Sequence, residues 1–171
     1  GTLLAKTCAG GFKEMVILVR VDDRLLHGQI ICSWVPFIKA DALVVASDEA
    51  AGDEMTSEIM CACGCEGLSV RVEKLSEAVT GIGSCMSCPE RVIMIVSGVR
   101  DAMRLYEKGM RFASLNLGNI HHEKNGRSLS PSVIVDEEDE KVLEMFKSLG
   151  VAIDIRDVPT MEPVEYMSRR P

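Results

Sequence analysis

Aromatic side chains are scarce in this sequence: four Phe, two Tyr and one Trp make up 4% of 171 residues. A core built from it must be mainly aliphatic, drawn from the Val, Ile, Leu, Ala and Met that dominate the 47% apolar share. Basic charge is short as well. Nineteen Lys and Arg against 26 Asp and Glu leave a net charge of −7. No clustered basic stripe stands out, so nucleic acid is excluded as a partner, because a phosphate-binding face needs such an excess. Long apolar runs are missing too: none approaches the ~18 residues of a membrane span. Between Gly1 and Glu14 the one apolar core is Leu3-Leu4-Ala5, short of the ~7–15 residues of a secretory h-region. These absences predict a cytoplasmic protein. Seven cysteines, at positions 8, 32, 61, 63, 65, 85 and 88, form an odd count, which in a chain without an export signal favours free thiols over a disulfide framework.

What is present suffices for one well-cored domain, 15–171, preceded by an extension, 1–14, that lacks any period and reads as disordered or as a leader. The domain opens on an apolar strand, Met15 to Leu18, followed by a polar turn. A helix is expected over Gly28 to Ala40, with Ile30, Ile31, Trp34 and Ile38 on roughly one face, kinked or shortened by Pro36, which lacks a backbone donor. Asp41 to Ala46, Arg91 to Val96 and Phe112 to Leu117 read as buried strands. Leu68 to Val72 alternates and gives another, and Ser132 to Val135 and Val151 to Ile155 give the last two. Helices are expected over Ala50 to Cys61, Leu75 to Thr80, Ser97 to Lys108 and Asp136 to Leu149. Gly118 to Pro131 is read as one long polar loop, and everything from Pro159 as a short tail.

Strands alternating with helices at this spacing predict an α/β fold: an open, mostly parallel twisted sheet with helices on both faces. Ligands of such sheets bind outside the carboxyl ends of the strands. That rule collects the loops 22–27, 47–53, 97–101 and 118–131 on one edge.

The densest chemistry on that edge is Arg20-Val21-Asp22-Asp23-Arg24-Leu25-Leu26-His27-Gly28-Gln29. His27 opens a predicted helix, where unpaired backbone N–H groups, including those of Gly28 and Gln29, hold anions. A neutral imidazole is a good nucleophile near pH 7, and a carboxylate such as Asp22 or Asp23 orients its other nitrogen. Arg24 and Arg20 offer guanidinium forks that match phosphate oxygens. Read from residues alone, a capping histidine among surface ion pairs stands beside this reading.

The string resembles the active-site signature of the enzyme IIB components of the mannose/fructose/sorbose family of the bacterial phosphotransferase system. The likeness continues in order. Trp34 stands where that family has a helix Trp. Ser47-Asp48-Glu49-Ala50-Ala51-Gly52-Asp53 looks like its acidic turn, and Leu115-Asn116-Leu117-Gly118-Asn119-Ile120-His121 is similar to its Asn-Val-Gly-Gly-Met-His stretch. Val135-Asp136-Glu137-Glu138-Asp139 matches its next helix start. The resemblance spans about Met15 to Pro159. It implies a phosphocarrier in which His27 accepts a phosphoryl group, through Nδ1, from phosphorylated enzyme IIA. The group then passes to a sugar held by the membrane components IIC and IID. Neither a metal nor any other cofactor is implied. Further phosphate contacts are expected from Ser97, Gly118 and His121, peripheral association with the membrane transporter is implied, and a homodimer is in keeping with the family. Asn119 departs from the family's second Gly, which predicts a different backbone path or a more polar tip there.

Two other readings stand beside this one. The same phosphorylatable histidine serves a regulatory module without sugar transport. Alternatively, Cys61, Cys63 and Cys65 with the Cys85/Cys88 pair mark a thiol metal-binding or redox protein, although C-x-C-x-C is not a common zinc spacing. His121 and His122 lie on the long polar loop, and only His121 matches a family position.

Overall fold

The computed structural model describes residues 16–82, 90–122 and 125–169. The predicted extension, Met15, Lys124 and the cysteines at 8, 85 and 88 lie outside the described residues. Seven strands form one sheet in the order β3-β2-β4-β1-β5-β8-β9, with β1 (Val16–Asp22) near its middle. The others are β2 (Ala42–Ala46), β3 (Ser69–Glu73), β4 (Val92–Val96), β5 (Ser114–Asn119), β8 (Ala152–Ile155) and β9 (Val164–Glu165). All neighbours pair in parallel except β8 and β9. The fold class expected from the sequence is therefore the one observed.

Alternation along the strands divides the core between two faces. Val44, Met94 and Val96 meet the buried sides of α4 (Leu75–Ile82), α5 (Val99–Glu107) and α6 (Glu137–Ser148). Leu43, Val45, Ile93 and Ile95 meet Ile30 and Trp34, with Met60 of α3 (Glu54–Cys61) packed against them. Covered on both sides, β2 and β4 are buried at every residue, which is why each reads as a continuous apolar run.

Several boundaries differ from those expected, each for a physical reason. β1 does not stop at Leu18 but runs through Arg20 to Asp22, because both polar side chains find buried partners. The helix after it opens into a π-helical segment, Ile30–Trp34, before a short α1 (Val35–Ile38). Pro36 explains this: its ring would crowd the carbonyl four residues back, at Cys32, and it has no N–H to give. The helix expected over Ala50 to Cys61 is two, α2 (Asp48–Gly52) and α3, separated by Asp53, whose side chain caps α3 by accepting from the Thr56 amide at 3.4 Å. The long polar loop contains β6 (Arg127–Ser130), which pairs antiparallel with β7 (Val133–Val135). The tail folds back as β9 and buries Tyr166 against the core.

Candidate active site at the carboxyl edge of the central strands

β1 lies between β4 and β5, in register Arg20 to Asn116 and Asp22 to Asn119. Its last residue, Asp22, is fully buried and collects donors on both carboxylate oxygens. Oδ1 accepts the Arg24 amide at 3.1 Å and Arg24 Nε at 3.4 Å, while Oδ2 accepts Arg20 Nη2 at 3.0 Å and His27 Nε2 at 2.8 Å. The turn that makes this possible places Leu25 at φ +56°, and the Leu25 amide donates to the Asp22 carbonyl at 2.9 Å. A left-handed residue there reverses the chain within four residues, so that His27 returns over the carboxylate that precedes it.

Asp22 holds the imidazole in one orientation. With Nε2–H donating to the carboxylate, Nδ1 carries the lone pair and has no hydrogen-bond partner among the described residues. The ring is 18% exposed, enough for approach from solvent. Arg24, half exposed, is steadied by Asp22 and by Gln29, whose Oε1 accepts from Nη2 at 3.3 Å. Gly28 opens the helix, and a Cβ there would meet nothing within 4 Å; its backbone amide and that of Gln29 lie in the first helical turn, where intrahelical acceptors are lacking.

Arg20 sits behind this constellation rather than in it. It is fully buried, donates to Asn116 Oδ1 at 2.6 Å and to the Arg156 carbonyl at 3.3 Å, and lies 5.4 Å from the Trp34 ring centroid. Burial pulls its pKa below the ordinary arginine value, and the Asp22 carboxylate opposes that pull. Gly118 faces it: a Cβ at that position would stand 2.0 Å from Arg20 Cζ. Glycine at 118 is thus required by the close approach of a guanidinium.

Asp23 points elsewhere. It accepts from Asn119 Nδ2 at 2.6 Å and from the His121 amide at 2.8 Å, with His121 Nδ1 at 3.2 Å. Asn119 ends the strand as a buried polar residue, its amide held by Asp23. Asp23, His121 and Ser97 border a cavity of about 270 Å³ that His27 does not line. There the Ser97 hydroxyl donates to Asp101 Oδ2 at 3.0 Å.

A model of the sorbose subfamily IIB component of the phosphotransferase system matches residues 16–169. The chain belongs to this family. Relatives of this IIB component include the N-acetylgalactosamine-specific phosphotransferase enzyme IIB component 1 of Escherichia coli, 31% identical over 146 residues, covering 84% of the chain and 91% of that protein. The mannose-specific EIIAB component of the same species is 27% identical over 154 residues, covering 90% of the chain and 48% of the larger protein. Among solved structures, the IIB domain of the sorbose permease of Klebsiella pneumoniae superposes with a TM-score of 0.81 at 26% identity, covering 88% and 92% of the two chains. The function of this IIB component is phosphoryl transfer within that system, and no helix among the described residues is long and apolar enough to cross a membrane.

Other candidate groups in this IIB component have other partners. Cys32, Cys61, Cys63 and Cys65 are free and exposed. Among the described residues, the ligand-type side chains that converge are His122, Asp136 and Asp139. This set is already charge-paired: Arg100 reaches Asp136 at 2.7 Å and Asp139 at 3.3 Å. His122 presents Nε2 to Asp139 at 2.6 Å and Nδ1 to Asp136 at 3.7 Å, a bridge between acids rather than one nitrogen aimed at a cation. Burial, reinforced by Asp136, raises the Asp139 pKa, while His122 and Arg100 oppose the rise.

The residues missed at the sequence level are Asn116 and Arg156. Asn116 had a signal, a polar residue alternating between Leu115 and Leu117 in an otherwise apolar strand. Arg156 had none, because its part is played by a backbone carbonyl.

Proposed function

We propose that His27 is the phosphoryl acceptor of this IIB component. The observation that carries the reading is the 2.8 Å contact between Asp22 Oδ2 and His27 Nε2, which leaves Nδ1 as the nucleophile. In the transfer, the Nδ1 lone pair attacks phosphorus as the phosphorus–nitrogen bond on the donor histidine breaks. The Nε2 proton stays on the ring, and its growing positive charge is met by Asp22. Arg24 and the amides of Gly28 and Gln29 then face the phosphoryl oxygens, so catalysis is positioning plus charge stabilisation. Arg20, Asp23, Ser97, Gly118 and His121 support the site from behind or from the neighbouring cavity.

The donor is a phosphorylated enzyme IIA. A mannose-specific relative named an EIIAB component supports that pairing. The acceptor is a sugar held by the membrane components IIC and IID, which makes this a cytoplasmic protein docked peripherally on its transporter. Incubation with phosphoenolpyruvate, enzyme I, HPr and a cognate enzyme IIA is expected to give an acid-labile phosphoprotein. Label retained undiminished in His27→Ala overturns the assignment. Arg24→Ala is expected to slow single-turnover transfer on the order of ten- to a thousand-fold, the effect of removing one strong donor. An unchanged rate would mean that backbone amides suffice.

A further inference from the structure

We propose that Arg20 is a positioning residue that keeps the His27 imidazole neutral and nucleophilic by limiting the charge that Asp22 presents to it; this rests on His27 being the phosphoryl acceptor. Four observations converge. Arg20 and Asp22 are both fully buried, so their ion pair is hardly screened by solvent. They share a single oxygen with the histidine: Asp22 Oδ2 takes Arg20 Nη2 at 3.0 Å and His27 Nε2 at 2.8 Å. The guanidinium cannot move off that oxygen, being held by Asn116 Oδ1 at 2.6 Å and the Arg156 carbonyl at 3.3 Å, with Gly118 closing against Cζ. Finally, it has no surface of its own from which to touch a phosphoryl group.

The physical consequence follows from where the charges sit. A buried carboxylate facing an imidazole alone draws a proton onto the ring, and a doubly protonated ring has no lone pair with which to attack phosphorus. A guanidinium on the same oxygen offsets part of that carboxylate charge and repels a second positive charge nearby. The other charged groups in reach are Arg24, whose Nε meets Asp22 Oδ1 at 3.4 Å, and Asp157, which faces Arg20. Arg156 lies on the Trp34 ring, 5.4 Å from its centroid. Arg24 is half exposed and so is the more weakly coupled of the two cations on Asp22. Arg20 is therefore the one that sets the balance.

The deciding experiment uses the whole chain and reads His27 in two ways. Long-range proton–nitrogen NMR without any phosphoryl donor reports the protonation of each ring nitrogen at neutral pH. Wild type is expected to show Nε2 protonated and Nδ1 bare, and Arg20→Gln to show a larger doubly protonated fraction. The rate of phosphorylation is then measured against pH. Arg20→Gln is expected to lose about tenfold on the acid limb, the effect of displacing that limb by one unit, and to recover as pH rises. Arg20→Lys, which keeps a charge, restores most of the wild-type profile. Asn116→Ala, which loosens the guanidinium without removing it, is expected to shift the profile in the same direction by less, and it decides the matter if Arg20→Gln does not fold. A folded variant whose ring state is unchanged, or whose loss is equal at every pH, overturns the proposal. Failure of wild type to be phosphorylated at His27 would instead overturn the acceptor assignment, leaving the NMR comparison to stand alone.

Discussion

Asp22 spends its two oxygens on different tasks: Oδ1 builds the turn through the Arg24 amide, and Oδ2 fixes the His27 imidazole. Asp22→Asn removes the charge that meets the developing imidazolium in the proposed transfer, and its amide group can turn a donor towards Nε2. The expected result is a fall in transfer rate on the order of a hundred- to a thousandfold, read by rapid quench with the circular dichroism unchanged. Gly118 is a separate case at the same scale. Adding a methyl group there forces either the strand or the guanidinium aside, since the contact would be 2.0 Å. Gly118→Ala is expected to lower unfolding free energy by about 1–3 kcal/mol, the cost of overpacking a filled core, measured by urea titration. That His27 and Arg24 share one site with Asp22 was legible in the sequence because all three belong to a compact motif. Arg20 looked like one more phosphate ligand there, since nothing in a string of letters says which arginine is buried.

Among the elements, α6 shows most clearly how local sequence sets local structure. Asp136 caps it by accepting the Asp139 amide at 2.8 Å, and Glu137, Glu138, Asp139 and Glu140 load its first turn with the charge a helix N-terminus favours. Burial pushes the Asp136 pKa up, but the Asp139 amide and Arg100 outweigh it and the result lies below the ordinary aspartate value. An acid whose folded pKa is depressed contributes stability above its unfolded pKa and loses it as pH falls through the folded value. Asp136→Ala is thus expected to cost about 1–2 kcal/mol at pH 7, with the gap to wild type narrowing below about pH 4, where the unfolded carboxyl begins to hold its proton. Parallel denaturation curves at neutral and acid pH check this. The helix itself was legible from its acidic start. The break at Asp53 and the widened turn before Pro36 were not, because both depend on which backbone carbonyl has room for a partner, and periodicity averages over such details.

On the scale of the whole molecule, the sheet order places the two most informative segments side by side: β1 with its Asp22 terminus and β5 with Asn116, Gly118 and Asn119. They lie nearly a hundred residues apart in sequence. Alternation of strand and helix was enough to predict a parallel sheet and its functional edge, but pairing β1 with β5 requires register, which single-chain patterning does not contain. The C-terminal segment escaped for another reason. It is short, and its apolar Met161, Val164 and Met167 are exposed, whereas the 3% exposure of Tyr166 reveals that the tail completes the core. Tyr166→Ala is expected to cost about 3–5 kcal/mol, as for other emptied aromatic sites, and calorimetry would register it as a lowered melting temperature.

The scarcity of aromatics has an optical consequence. Trp34 is the sole tryptophan in the chain. Arg20 and Arg156 each place Cζ 5.4 Å from its ring centroid, while its Nε1 donates to the Asp157 carbonyl at 2.8 Å. Indole emission from this protein therefore arises from one chromophore whose near neighbour touches the carboxylate that holds His27. Any redistribution of charge along that line alters the local field on the excited state, so stopped-flow emission of the unlabelled protein is expected to change if the proposed phosphoryl transfer to His27 takes place.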